Sequence, residues 1–313
     1  MSGLTIGPAE VIQFTIGGLT NGAIYALVAL GLHIIFKATR VLNFVQGEQV
    51  VIGGLLALTV STTLHAPIFL AFVAAMIIGG AIGYAFERIA IRPAYRLGEL
   101  ATIMVTIGGF VVFKNGHQLI WGKESIPFPD FAFDFPFSLA TPAFQGFAEA
   151  FLKATGAGFN PFAIWVILLS ILGVVAVHLF FQKTLFGKAM RAVADNTKAS
   201  ELMGIDSTQV TAVAFAMSAA LAAAAGILGG PLLNAGGSYG IEIAVKGFSG
   251  AIVGGFGSSL GSVAGGFIVG IIEALSGGLI SSSYKDAISF GIMLLVLLVR
   301  PSGIFGEKEV RRS

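Results

Sequence analysis

Long apolar runs alternate with short polar stretches along the chain, and nine of the runs approach the length of a membrane crossing. A helix needs about 20 mostly apolar residues to traverse roughly 30 Å of hydrocarbon. The segments near 10–36, 47–64, 67–87, 99–121, 161–182, 208–233, 243–257, 262–280 and 286–300 meet or come close to that requirement. Two leave the count open at eight to ten: 243–257 is short and Gly-rich, as a re-entrant segment would be, and 37–52 reads as broken backbone entering the second span. Backbone polar groups in hydrocarbon must be satisfied within their own segment, so each span is expected to be a helix. The expected fold class is an all-α, polytopic integral membrane bundle, with residues 1–313 forming one transmembrane domain.

Composition supports lipid as the solvent. Hydrophobic residues make up 56% of the 313 positions and charged residues 11%, against about a quarter charged in ordinary soluble domains. The 43 glycines would weaken helices in water; in a bilayer they let backbones approach closely. Pairs four apart, Gly18 with Gly22, Gly226 with Gly230, Gly250 with Gly254, Gly261 with Gly265 and Gly266 with Gly270, place side-chain-free positions on one helix face. The absence of cysteine excludes a disulfide framework. A net charge of +2 gives no reason to expect a nucleic-acid partner.

The placement of charge predicts orientation. The first basic residue is Lys37, so no secretory signal peptide is expected. With nine crossings, 13 of the 18 basic residues fall on the side that receives 37–46, 88–98, 183–207 and the C-terminal tail. By the positive-inside rule that side is cytoplasmic. The N-terminus is then outside, the C-terminus inside, and 122–160, with its run PFPDFAFDFPF, forms an extracytoplasmic segment of short, irregular structure packed on the outer face.

No chemistry of its own is legible. Neither Gly-Lys pair, Gly122-Lys123 or Gly187-Lys188, carries the spacing of a phosphate-binding loop. The four His residues lie on different segments and suggest no zinc site. No cofactor and no catalytic residue is expected in this chain, and any ATP with its Mg would belong to partner subunits.

The segment 183–207 is too polar to span and rich in helix formers. Two short helices are expected, about 187–194 and 196–203, the second capped by Asp195 and closed by Gly204. Phe186, Met190 and Val193 share one face; Ala199, Leu202 and Met203 share another. These faces could pack on the chain's own spans, lie among lipid headgroups with Lys188 and Arg191, or receive a partner protein.

Polar groups inside spans are expensive and default to functional candidates. Asn21 lies in the first span, Asn43, Gln46 and Glu48 cluster where the second begins, and Glu273 lies deep in 262–280. The first four are candidates for lining a translocation path or for holding broken helix ends; Glu273 could line the path, pair with a Lys from a neighbouring span, or remain protonated. Lys114, Asn115 and His117, the pair Glu242 and Lys246, and His33 and His178 read as interface residues.

The loop pattern Thr184-x-x-Gly187-x-Ala189-x-Arg191-Ala192-x-Ala194, followed by Gly204-Ile205, resembles the coupling region of permease subunits of branched-chain amino-acid ABC importers. Four further blocks agree: Leu19 to Leu27, Asn43 to Glu48, Glu87-Arg88 with Arg92-Pro93, and Arg300 to Gly306. The resemblance covers about residues 15–306 and points to the first of the two paralogous permease types. It departs at Gln46, where the family generally has His, and in the length of 122–160. It implies two cytoplasmic ABC ATPase subunits, a second homologous permease, a solute-binding protein outside, and a bacterial inner-membrane location. Phe186, Gly187, Lys188, Met190, Arg191, Asp195, Leu202 and Gly204 would then couple to the ATPase. Related importers carry urea, amides or other small solutes. An ion-coupled secondary transporter is the competing class, opposed by the scarcity of embedded acids beyond Glu48 and Glu273 and by the polar loop.

Overall fold

The computed structural model describes residues 7–128, 142–158, 160, 162–233, 235–236 and 239–306. Each of the nine apolar segments corresponds to one helix, several with ends shifted by a residue, and 243–257 runs past the end of its helix at Gly254. The helices that carry these segments are α1 (Pro8–Thr39), α2 (Gln46–Thr63), α3 (Ile68–Phe86), α5 (Glu99–Trp121), α7 (Phe162–Lys183), α10 (Ser207–Leu233), α11 (Tyr239–Gly254), α12 (Ser259–Leu279) and α13 (Lys285–Val299), with α4 (Arg92–Tyr95) between α3 and α5. Shorter helices α6 (Pro142–Thr155), α8 (Leu185–Asp195) and α9 (Thr197–Leu202) fill two of the connections. Among the described residues, five helical stretches are individually long and apolar enough to cross a membrane: Pro8–Thr39, Ile68–Tyr95, Phe162–Lys183, Ser207–Leu232 and Ser259–Leu279. The chain is a multi-pass, all-α membrane protein.

Helices α1 and α10 run through the centre and are mostly buried, whereas α7 shows most of its apolar surface to the surroundings. Lipid tails are as apolar as leucine, so burial alone does not drive these helices together; close packing does. The glycine pairs supply it. On α12, Gly265 faces the backbone of Gly250 and Gly254 on α11, while Gly266 and Gly270 lie against Ala26 and Gly22 on α1. A Cβ at any of these positions would collide with backbone. Gly226 on α10 likewise meets Val50 on α2.

Three local features follow from sequence. Helix α1 stops at Arg40, which adopts φ 58°, and residues 40–45 run without regular helix into α2; this is the break expected near 37–52. After Phe86 the chain passes through a π-helical turn, Glu87–Ile91, before α4, because Pro93 has no N–H to donate to the preceding turn. The 300–306 block folds back on α11, where the Ile304 N–H donates to Val253 O (2.8 Å) and the Phe305 N–H to Gly254 O (3.0 Å). Carbonyls that a helix end leaves orphaned are thereby satisfied.

In the segment 122–160, strand β1 (Ser125–Ile126) pairs antiparallel with β2 (Ala235–Gly236), tying its start to the end of α10. The expectation of short, irregular structure needs correction at 142–155, which forms the 14-residue helix α6. Most of the run PFPDFAFDFPF lies outside the described residues.

Candidate functional site

At the end of the bundle where α1 and α7 finish, α8 and α9 form a bent helical pair. Thr184 caps α8: its Oγ1 accepts from the Gly187 N–H at 2.9 Å. Gly187 sits where a Cβ would collide with the backbone of Phe180 and Phe181, so the glycine lets α8 fold tightly against the end of α7. The expected boundaries and cap change here. Helix α8 runs from 185 through Asp195, and the residue that caps α9 is Asn196, whose Oδ1 accepts from the Ala199 N–H at 3.0 Å. Asp195 is the last residue of α8 and stays exposed. Gly204 takes φ 83°, and the Ile205 N–H reaches Ser200 O at 3.0 Å, closing α9 in the left-handed cap geometry.

The apolar residues of this loop divide into two sets. Gly187, Met190 and Val193 are buried, and Met190 and Val193 join the hydrophobic core formed by α1, α7 and α10. Phe186, Lys188, Arg191, Leu202 and Gly204 remain exposed. Leu185, Leu202 and Met203 are 84%, 89% and 83% accessible, an apolar surface next to Lys188 and Arg191. Beyond α9, Asp206 caps α10, its Oδ1 accepting from the N–H groups of Thr208 (2.9 Å) and Gln209 (3.1 Å). Those bonds, with the Gln209 N–H foremost, hold its carboxyl below the usual carboxylate range.

The five polar candidates named from the sequence fall in three places. Asn21 and Glu273 line a cavity of about 490 Å³ at the end where α1 begins and α12 finishes, shared with Gln13, Asn160 and Lys285. Glu273 does pair with a neighbouring lysine: Lys246 Nζ lies 2.6 Å from Glu273 Oε1, and Tyr25 donates to Oε2 at 2.8 Å. Lys246 also reaches Glu242 at 2.5 Å and Asp286 at 3.2 Å. The three carboxylates, whose oxygens come within 4.8 Å of one another, converge on an ammonium. Lys246 does pair with Glu242, as their spacing suggested, but it is a buried residue, 2% exposed, and does not snorkel outward.

Glu48 and His117 form a second pair, Nε2 to Oε2 2.9 Å, both side chains buried. His117 thus also leaves the interface role, drawn inward by an acid on α2. His33 does the same: it is buried, and its Nδ1 lies 2.8 Å from Phe256 O.

The third place is the break between α1 and α2. Gln46 accepts from Ser218 Oγ at 2.7 Å and donates through Nε2 to Ser218 O at 3.2 Å, bridging α2 to the middle of α10. Asn43 Oδ1 accepts from the Val45 N–H at 3.2 Å. Both amides border a cavity of about 270 Å³ whose remaining lining is apolar apart from Gly47. Sequence reasoning grouped Asn43, Gln46 and Glu48, yet Glu48 points to a different partner from the other two. It missed Ser218 and the apolar lining, because no spacing rule links α5 and α11 to the break.

Residues 14–297 match the family model described as "Branched-chain amino acid transport system / permease component". The chain is 31% identical over 310 residues to the high-affinity branched-chain amino acid transport system permease protein LivH of Salmonella typhimurium, covering 96% of this chain and 97% of that one. It is 31% identical over 312 residues to the corresponding protein BraD of Pseudomonas aeruginosa, with the same coverage. A probable branched-chain amino acid transport permease protein LivH of Methanocaldococcus jannaschii is 27% identical over 314 residues, covering 95% of this chain and 93% of that one. No solved structure matches the chain. The match across nearly the whole length places this chain in the family of branched-chain amino acid transport system permease components.

Proposed function

We propose that this chain is a permease subunit of an ATP-driven importer that carries branched-chain amino acids into the cytoplasm. The observation that carries the reading is the full-length match to permeases of that name, together with a loop that presents exposed apolar side chains outside the spans. In this reading the α8–α9 end faces the cytoplasm, as the concentration of basic residues there favours. Leu185, Phe186, Leu202 and Met203 form the apolar centre of a docking surface for a cytoplasmic ABC ATPase, with Lys188, Arg191 and Asp195 at its rim. Gly187, Met190 and Gly204 act indirectly, by setting the shape of the pair.

The assembly comprises two such ATPases, a second homologous permease and an extracytoplasmic solute-binding protein, in the inner membrane. ATP and Mg are used by the ATPases alone. ATP-driven closure of the ATPase pair moves α8 and α9, and through Met190 and Val193 the movement reaches α1, α7 and α10. Reconstitution of the assembly in proteoliposomes tests the proposal. Leucine uptake should require ATP, the ATPases and the loaded binding protein; uptake that survives omission of the ATPases would instead favour an ion-coupled secondary transporter.

A further inference from the structure

A crevice of about 280 Å³ opens at the end of the bundle that carries α8, between α1, the last turns of α7, the first turn of α12 and α8 itself. Lys37 of α1 and Arg191 of α8 both line it, and neither forms an ion pair with any described residue. Asp195 lines it too, so that apart from two imidazoles the lining carries one net positive charge. Ser259 brings in the first turn of α12, where the helix dipole is positive. His33 is 6% exposed, and its Nδ1 donates to Phe256 O at 2.8 Å, since a carbonyl can only accept. In the neutral ring Nε2 is then an acceptor. It has no partner and, unlike the enclosed Nδ1 of His117, stays open to the crevice that His33 lines. On α7, Ile171 and Val175 precede His178 and Gln182 at spacings that keep all four on one helix face. Both aliphatic side chains are exposed, so an apolar track leads from the crevice along the span.

We propose that this crevice binds the headgroup of an anionic glycerophospholipid, and that phosphatidylglycerol is the headgroup it fits. The phosphodiester, with its single negative charge, accepts from Lys37 and Arg191. One glycerol hydroxyl donates to His33 Nε2 and the other to Asp195. The acyl chains run along Ile171 and Val175, a surface for which a free phosphate has no counterpart. Basic pockets between spans hold anionic headgroups in this way. Because Lys37 belongs to α1 and Arg191 to α8, a bound headgroup ties the α8–α9 pair to the bundle. The site depends on the chain lying in a bilayer and not on the importer reading, so a different cargo would leave it intact.

The test uses the complete assembly, delipidated in a neutral detergent. Dioleoyl phosphatidylglycerol, phosphatidylethanolamine and phosphatidylcholine are titrated in separately, and native mass spectrometry measures the lipid retained. Phosphatidylglycerol should bind about tenfold more tightly than either of the others. Lys37→Glu should weaken it by about tenfold, because a phosphate contact is lost and a repulsion added, and Lys37→Gln by a smaller factor. Lys198→Glu makes the same charge change outside the crevice and should stay within about twofold of wild type. Lys37→Gln keeps the test open if the charge reversal prevents folding. Phosphatidylglycerol carrying a diazirine on its acyl chain near the glycerol should label peptides from 171–182 and 190–195. Equal retention of the three lipids, wild-type affinity in both Lys37 variants, or labelling confined to other helices would overturn the site. Displacement of the lipid by millimolar inorganic phosphate would make it a free-anion site and overturn the lipid assignment.

Discussion

Lys246 on α11 and Glu273 on α12 meet at 2.6 Å inside the bundle, joining two helices whose glycines already bring their backbones together. Tyr25 from α1 completes the cluster through Glu273 Oε2. Removing one member of a buried pair leaves the other charge uncompensated, at about 3–5 kcal/mol. Lys246→Met should therefore cost more than Glu273→Gln, since the latter leaves Lys246 with Glu242 and Asp286. Combining the two should recover part of the loss. Thermal unfolding of the detergent-solubilised protein measures all three, and strictly additive losses would show that the pair is uncoupled.

Glycines in the α11–α12 crossing should be far less tolerant than those facing open space. Gly265→Ala puts a methyl group into the Gly250 and Gly254 backbone, and overpacking of that kind costs about 1–3 kcal/mol. At Gly116 and Gly291 a methyl group would meet nothing within 4 Å, so Gly116→Ala and Gly291→Ala should change stability by at most about 1 kcal/mol, in the stabilising direction. Comparable melting temperatures for Gly265→Ala and Gly291→Ala would contradict the crossing.

The exposed and buried residues of α8–α9 should separate cleanly. Leu202→Asp and Met203→Asp alter side chains that touch little of this chain; copurification of the ATPase should be lost while the melting temperature is retained. Met190→Asp buries a carboxylate in the core between α8 and the spans and should lower the melting temperature whether or not an ATPase is present. If Leu202→Asp and Met203→Asp both retained the ATPase, the docking surface would have to lie elsewhere.

Asp206 gives a pH-dependent contribution whose sign follows from its bonds. Its carboxylate form is favoured in the folded state by the Gln209 and Thr208 N–H groups. The contribution is thus present above the unfolded value of about 3.9 and disappears as pH falls through the lower folded value. The melting-temperature difference between wild type and Asp206→Asn should be visible at neutral pH and shrink on acidification below that range.

Much of this architecture was legible in the order of residues because the bilayer imposes a length and a solvent. Each of the nine apolar segments corresponds to a helix, although 243–257 runs past the end of α11, and the glycine spacings mark the α1, α11 and α12 contacts. Legibility ends where partners come from distant helices. His117 and Lys246 looked like interface residues beside their neighbours in sequence, yet Glu48 and Glu273 draw them inward. Asp195 and Asn196 are both good caps, and which one starts α9 is decided by where α8 ends against α7. The face that includes Met190 and Val193 could have been covered by lipid, a partner or the chain itself; Gly187 decides it by allowing α8 to lie against Phe180 and Phe181.

Gln46 tests whether the break between α1 and α2 is held by its amide specifically. The Gly31 position leaves no room for a larger neighbour, because a Cβ there would touch both the Gln46 amide nitrogen and Ser218. Gln46→Glu keeps the acceptor for Ser218 Oγ but turns the Nε2 donor into an oxygen facing the Ser218 carbonyl. Gln46→Met fills nearly the same space with no polar atom to leave unpaired. A buried polar group left unsatisfied costs about 1–3 kcal/mol, whereas removing both partners of such a bond costs much less. Gln46→Glu should therefore be the more destabilising change at neutral pH, and Gln46→Met combined with Ser218→Ala should lie close to wild type. Equal melting temperatures for Gln46→Glu and wild type would show that the amide does not anchor α2 to α10.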